Sequence, residues 1–204
     1  MRTFLIAGLT LGLSLGAPAQ TPQAAAAMPA SQTEVLSSNG PVVADYGKAA
    51  YPNTPEGRLA KEVRHELLML PYYSLFDDLE YGVQGRTVTL SGSVTSDHAV
   101  TRSDAENAAK HIEGVDKVIN NIKVLPPSPL DQEVREQVYR ALSNTGSLSR
   151  YFWEAAPSVH IIVENQRLTL KGFVNSEGDK NLANIAANGV PGVFQVTNEL
   201  RVVK

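Results

Sequence analysis

The chain contains one unit twice, and this constrains its fold more than any other feature of its 204 residues. Residues 83–94, VQGRTVTLSGSV, agree with residues 163–174, VENQRLTLKGFV, at five of twelve positions: the outer valines, the Thr-Leu pair and the glycine. Residues 114–124 and 192–202, GVDKVINNIKV and GVFQVTNELRV, agree at five of eleven. Ahead of both, Leu59, Glu62, Val63 and Arg64 recur as Leu130, Glu133, Val134 and Arg135. Three blocks in one order mark a tandem duplication, with Pro126-Pro127-Ser128-Pro129 as a stiff spacer at the joint. Each copy must therefore bury its own small core, and both must do so in the same way.

The periodicity within a copy supplies the elements. Leu59, Val63, Leu67 and Leu70 form one helical stripe ended by Pro71, and Leu130, Val134, Val138 and Leu142 form its counterpart. Alternation follows at Leu79, Tyr81 and Val83, and at Val159, Ile161 and Val163. A cleaner strand comes next, with Val88, Leu90 and Val94 on one face and Thr87, Thr89, Ser91 and Ser93 on the other. The short link through Gly85 makes this pair a hairpin. A second helix is predicted over roughly 97–112. In the later copy Leu182, Ile185, Ala186 and Val190 mark its buried stripe, and Ser176 with Asp179 its capping arrangement. Gly114 and Gly192 stop these helices. A last alternating strand runs through Val118, Asn120, Ile122 and Val124, repeated as Val196, Asn198, Leu200 and Val202. The fold class is α+β: αββαβ twice, each copy a three-stranded mixed sheet with two helices on one face, which buries both stripes together. Gly92 and Gly172 fall where a large apolar residue is expected, so they predict a close approach of helix backbone, or a bulge.

Ahead of the repeats, residues 1–19 read as an export signal. One arginine precedes an apolar run from Phe4 to Leu15, of a length suited to a signal core and short of the ~20 residues a spanning helix needs. Ala17-Pro18-Ala19 suits cleavage after Ala19. Residues 20–55, rich in Ala, Pro and Ser, read as a flexible leader. The expected units are then 56–125 and 130–204, joined by the Pro-rich linker 126–129. Gly12-Leu-Ser14-Leu-Gly16 matches the nucleophile-elbow pattern but lies inside the signal core, without the strand and helix that motif requires. The absence of cysteine removes disulfides, thiolate metal sites and lipidation on a terminal thiol. A formal charge of −3 argues against nucleic acid as a partner.

Val88-Thr-Leu90-Ser-Gly92-Ser-Val94 with Gly114-Val115…Val118-Ile-Asn120, and their second-copy equivalents around Gly172 and Gly192, resemble the BON domain, a family named for bacterial osmotically induced periplasmic and nodulation proteins. The resemblance spans about Arg58–Lys204. It implies a non-enzymatic envelope module; the chain is expected to be periplasmic, monomeric or weakly associating, and without cofactor. Its partner would be an anionic phospholipid surface or an envelope protein, met peripherally during envelope or osmotic stress. A scaffold or holdase docking extended segments on free sheet edges is the alternative.

The chemistry-bearing residues are sparse. His65, His98, His111 and His160 lie in different elements and read as solvated surface rather than metal ligands, so no metal or catalytic residue is expected. Asp77, Asp78 and Glu80 read as edge charge that discourages strand pairing. Two aromatic inserts occupy equivalent places, Pro71–Phe76 and Leu148–Trp153. They serve either as plugs for the helix–strand corner of each core or as an interfacial anchor. In the anchor reading Arg140, Arg150, Tyr151, Phe152 and Trp153 form the lipid or partner surface, on the copy with the less negative balance. Leu130–Lys204 carries 8 Lys and Arg against 8 Asp and Glu, whereas Arg58–Val124 carries 8 against 10.

Overall fold

In each repeat a hydroxyl side chain followed by proline starts the first helix. Thr54 accepts the Gly57 N–H at 3.1 Å ahead of α1 (Pro55–Leu68), and Ser128 accepts the Asp131 N–H at 3.2 Å ahead of α3 (Pro129–Ser143). Proline suits the first turn, where a backbone N–H has no helical partner. Pro129, the last residue of the expected linker, thus opens α3, with Ser128 as its cap. The computed structural model describes residues 42–44, 51–153 and 157–203. The export signal and most of the expected leader, all but residues 42–44 and 51–55, lie outside the described residues.

Repeat 1 continues with β2 (Asp78–Gln84) and β3 (Thr87–Val94), an antiparallel hairpin. After a 3₁₀ turn at Ser96–His98, α2 (Val100–His111) carries the chain back to β4 (Lys117–Asn120) and β5 (Lys123–Val124), both parallel to β3. Parallel pairing requires such a crossover. Repeat 2 copies the order: β6 (Val159–Glu164), β7 (Arg167–Val174), α4 (Glu177–Asn188), β8 (Gln195–Asn198) and β9 (Arg201–Val202). The expected last strand is interrupted in both copies. Asn120 accepts the Ile122 N–H at 3.1 Å and donates to the Arg102 carbonyl at 2.9 Å. Asn198 does the same with Leu200 and Lys180. The repeated asparagine thus ties the strand to the second helix, and Ile122 and Leu200 beyond it are buried.

Two separate apolar clusters result, one per repeat. Leu59, Val63 and Leu67 meet Val83, Val88 and Leu90 in the first, and Val134, Val138 and Leu142 meet Val163, Leu168 and Leu170 in the second. Two expected core residues are outside. Leu130 is 59% exposed although its counterpart Leu59 is 8% exposed, because α1 begins three residues earlier relative to the repeat. Leu59 therefore follows a full turn of helix, whereas Leu130 is the second residue of α3. Ile185 is 69% exposed, and Ala183 and Ala187 face the sheet instead, as Ala105 and Ala109 do in α2. Residue 185 lies ~200° around the helix from 183, on the solvent side.

Gly92 and Gly172 adopt φ of +98° and +109°. A Cβ on either would stand 2.1 Å from the Asp78 carbonyl oxygen or 2.0 Å from that of Ser158. The close approach is therefore by the neighbouring strand, not by a helix, and the unbroken β2–β3 register has no bulge. Gly114 and Gly192 also take positive φ after their helices. Val42–Ala44 forms a further strand, β1, antiparallel to the outer edge of β2 with Val42 opposite Val83. These residues lie inside the segment read as flexible leader. Their backbone finds partners on an edge that is otherwise unpaired.

Candidate functional site

The insert of repeat 2 forms a 3₁₀ segment, Gly146–Phe152, held from below. Leu148, Tyr151 and Phe152 are buried, and the Phe152 ring meets Tyr139 edge-on at 5.7 Å. The Tyr151 hydroxyl donates to Asp179 at 2.8 Å and accepts the Asn175 N–H at 2.9 Å. Asp179 also accepts from Ser147, from Ser176 at 2.9 Å and from Arg150 at 3.0 Å. The Ser147 hydroxyl, then Tyr151, Ser176 and the Arg150 charge, outweigh burial and hold this carboxyl below the ordinary aspartate range. Of the five residues expected to form the surface, Tyr151 and Phe152 are therefore core. Each ring fills the corner between helix and sheet, and the tyrosine hydroxyl has buried partners. Arg150 is half exposed, but its charge is already matched by Asp179. Arg140 is exposed on α3, where its Nε donates to the Glu136 carbonyl of its own helix at 3.3 Å. Trp153, immediately after the locked segment, is 79% exposed.

The insert of repeat 1 does something different. Leu70 and Tyr73 pack against their own core, but Leu75 and Phe76 pack against the core of repeat 2. The Leu75 carbonyl accepts the Ile161 N–H at 2.8 Å, closing one position on the outer edge of β6. Tyr73 covers His160, with ring centroids 5.6 Å apart and hydroxyl to Nε2 at 3.3 Å. His160 is consequently 1% exposed rather than solvated, and burial pushes its pKa down to about 4. Next to it on β7, Lys171 bridges to Asp78 and Glu80, each at 2.7 Å. Burial works against its charge, but the two carboxylates outweigh burial and raise the ammonium above the ordinary lysine value. Asp78 and Glu80 therefore tie the repeats together instead of guarding an edge. Lys123 and Glu164 add an exposed pair at 2.6 Å between β5 and β6.

Ser74, His98 and Asp77 come together at the same junction and superficially suggest a catalytic triad. The geometry does not permit a relay, because Ser74 Oγ at 3.4 Å and Asp77 Oδ2 at 2.8 Å both approach Nδ1 of His98. A relay needs the hydroxyl at the opposite ring nitrogen. Asp77 is fully buried and instead organises the loop, accepting the N–H groups of Ser74 at 3.0 Å and Thr95 at 2.9 Å. Among the described residues, no group of His, Asp and Glu is arranged to hold a metal ion, and no helix is long and apolar enough to cross a membrane.

Sequence periodicity missed one further surface. Leu130 and Phe194, the latter 77% exposed, flank the turn at Asn165 and Gln166. The buried Asp131 carboxylate holds that turn, accepting both its N–H groups at 3.0 and 2.7 Å. An aspartate in the first turn of a predicted helix was the available signal, but it reads equally as helix-dipole charge.

Comparison with known proteins gives a family and a likeness to solved structures. The family model for the BON domain matches residues 56–126 and 130–204. No curated protein matches the chain. Two solved structures of CdsD, a structural protein of the type III secretion system of Chlamydia trachomatis, are similar at 12% identity with a TM-score of 0.29. Each covers 72% of this chain. The match spans 98% of the first CdsD chain, its C-terminal domain, and 92% of the second.

Proposed function

We propose, from the premise that this chain belongs to the BON domain family through both of its repeats, that it is a non-enzymatic binding module of the bacterial envelope. It is exported to the periplasm through residues 1–19, is not lipidated, and adsorbs peripherally to anionic phospholipid under envelope stress. Its contact is the second repeat, through Trp153 with Arg140 and the outer part of Arg150. The observation that carries this reading is the position of Trp153: an exposed indole on a segment whose neighbouring rings are locked into the core. An indole so placed can enter the headgroup region without disturbing the fold, its ring in the apolar layer and its N–H at the wet boundary. Arg140, exposed on α3, is the cation this reading assigns to phosphate. Repeat 2 carries no net charge, so the ring rather than bulk electrostatics supplies most of the attraction.

Flotation with vesicles containing anionic phospholipid tests this. The chain should rise with the vesicles at low salt and less so at high salt, and Trp153→Ala should remain near the bottom while keeping its fold. A wild-type chain that stays at the bottom at low salt ends the proposal.

Docking of extended segments on free sheet edges has less support. The outer edge of β2 carries β1, and that of β6 meets Leu75. The opposite edges are short strands broken at Asn120 and Asn198, a poor template for strand addition.

A further inference from the structure

The two repeats are joined by groups that acid alters in the same direction. The insert of repeat 1 lays Tyr73 over His160 of β6 and sets the Leu75 carbonyl on the Ile161 N–H beside it. The cross-strand neighbour of His160 is Lys171, whose ammonium is held by Asp78 and Glu80 of β2, with Glu199 at 4.0 Å. Lys123 and Glu164 add their exposed pair. The apolar share is small, since Leu75 and Phe76 are only half-buried where they pack against repeat 2.

This arrangement is hostile to a proton on His160. From repeat 1 the ring is faced by the Tyr73 hydroxyl, the Ser74 backbone and Asp77, and from its own repeat by Lys171 and the Pro157 backbone. Asp77 is the attractive charge, but its carboxylate already serves the N–H groups of Ser74 and Thr95 and the ring of His98. Lys171, a cation on the adjacent strand, repels a second one. Acid also removes the charges of Asp78 and Glu80, and with them the attraction that holds Lys171 between the repeats. Each repeat has its own apolar core, and the chain still joins the two through Pro126-Pro127 when the junction opens.

We propose that the junction is an acid-released clasp: protonation of His160, together with Asp78 and Glu80, frees the insert of repeat 1 from β6 and lets the two folded repeats swing apart about the Pro126-Pro127 joint. The device works between the repeats and does not depend on adsorption through Trp153. Burial holds the His160 pKa down at about 4, whereas an ordinary solvated histidine titrates at 6.5. The open form therefore binds the proton more tightly, so the clasp weakens as pH falls from 6.5 to 4 and gains nothing further from this group below that. The difference corresponds to a shift of about 300-fold toward the open form.

Spin labels on Ser103→Cys in α2 and Asn181→Cys in α4, both exposed and in a chain with no other cysteine, report the separation of the repeats by pulsed electron–electron double resonance. One narrow distance is expected at pH 7. At pH 4 a second, broader population should appear while the far-UV circular dichroism is retained, and it should vanish on return to pH 7. His160→Phe keeps a ring under Tyr73 but takes no proton, so the ratio of open to closed at pH 4 should fall by about a hundredfold. Glu80→Gln, at a half-exposed position, weakens the hold on Lys171 at every pH and should open at a higher pH than the wild type; it decides should His160→Phe not fold. Any of four results would overturn the proposal: a distance that stays narrow at pH 4, a broadening that comes only with loss of ellipticity, a His160→Phe variant that opens as readily as the wild type, or an unshifted Glu80→Gln.

Discussion

Repeat 1 and repeat 2 share a backbone and differ at their corners. Gly92 and Gly172, Asn120 and Asn198, and the alanine pairs of α2 and α4 hold equivalent places and do equivalent work. The aromatic inserts and the hairpin ties do not. Repeat 2 spends its insert on its own core and leaves one indole outside, whereas repeat 1 extends Leu75 and Phe76 into its neighbour. Constraints set by backbone geometry survive duplication because one atom too many breaks the fold. Side chains at corners have several acceptable destinations, and there the two copies have parted.

The sharpest attack on the shared part is Gly172→Ala or Gly92→Ala. A methyl group pushed into a strand carbonyl at positive φ should remove at least about 3 kcal/mol in either repeat, read from urea unfolding. Tolerance in one repeat but not the other would show that the copies do not share this constraint.

The junction makes a comparable but pH-dependent contribution. His160 stays neutral in the folded chain down to about pH 4, whereas an ordinary histidine of the unfolded chain titrates at 6.5. Between those values the unfolded state binds more protons, so stability falls as pH drops through that window and levels off below it. The total is about 3 kcal/mol. Repeat 1 has Glu80 at the equivalent position, so the His160 contribution to the slope has no counterpart there. His160→Leu should flatten the dependence of the urea midpoint on pH between 6.5 and 4, and an unchanged slope would place its origin elsewhere.

Smaller effects separate the hairpin ties and the inserts. Asp131→Ala removes two charge-assisted bonds to the turn and should cost about 2 kcal/mol. Glu62→Gln on α1, where no such tie exists, should change stability by less than about 0.5 kcal/mol. Equal losses in urea unfolding would erase the distinction drawn between the two ends. Smaller again, Tyr151→Phe should cost about 1 kcal/mol through the lost hydroxyl bridge between Asp179 and Asn175. Tyr72→Phe in the other insert, at an exposed site, should be silent in the same measurement.

The fold was legible because periodicity and repetition agree: αββαβ, the hairpin and the two cores all follow from spacing. What spacing could not supply was the partner of each polar side chain. Asp78 and Glu80 look the same in sequence whether they face water or Lys171, and His160 sits in an alternating strand with nothing to reveal that Tyr73 covers it. Ile185 misled because an amphipathic helix with two alanines toward the sheet has its largest side chain on the wrong side. The candidate surface was only partly readable for a similar reason. Tyr151, Phe152 and Trp153 are consecutive, and only the geometry of a 3₁₀ segment decides which rings turn inward. Leu130 and Phe194, both exposed near the turn at Asn165 and Gln166, are far apart in sequence, so no local pattern groups them.

Trp153 is the only tryptophan in the chain, so its fluorescence reports directly on the proposed contact. Exposed in the free protein, it should emit as a solvated indole, shift to shorter wavelength when anionic vesicles are added, and be quenched by bromine placed on the lipid chains near the headgroup. An emission maximum that stays unmoved while the protein is carried up with the vesicles would mean that another surface makes the contact.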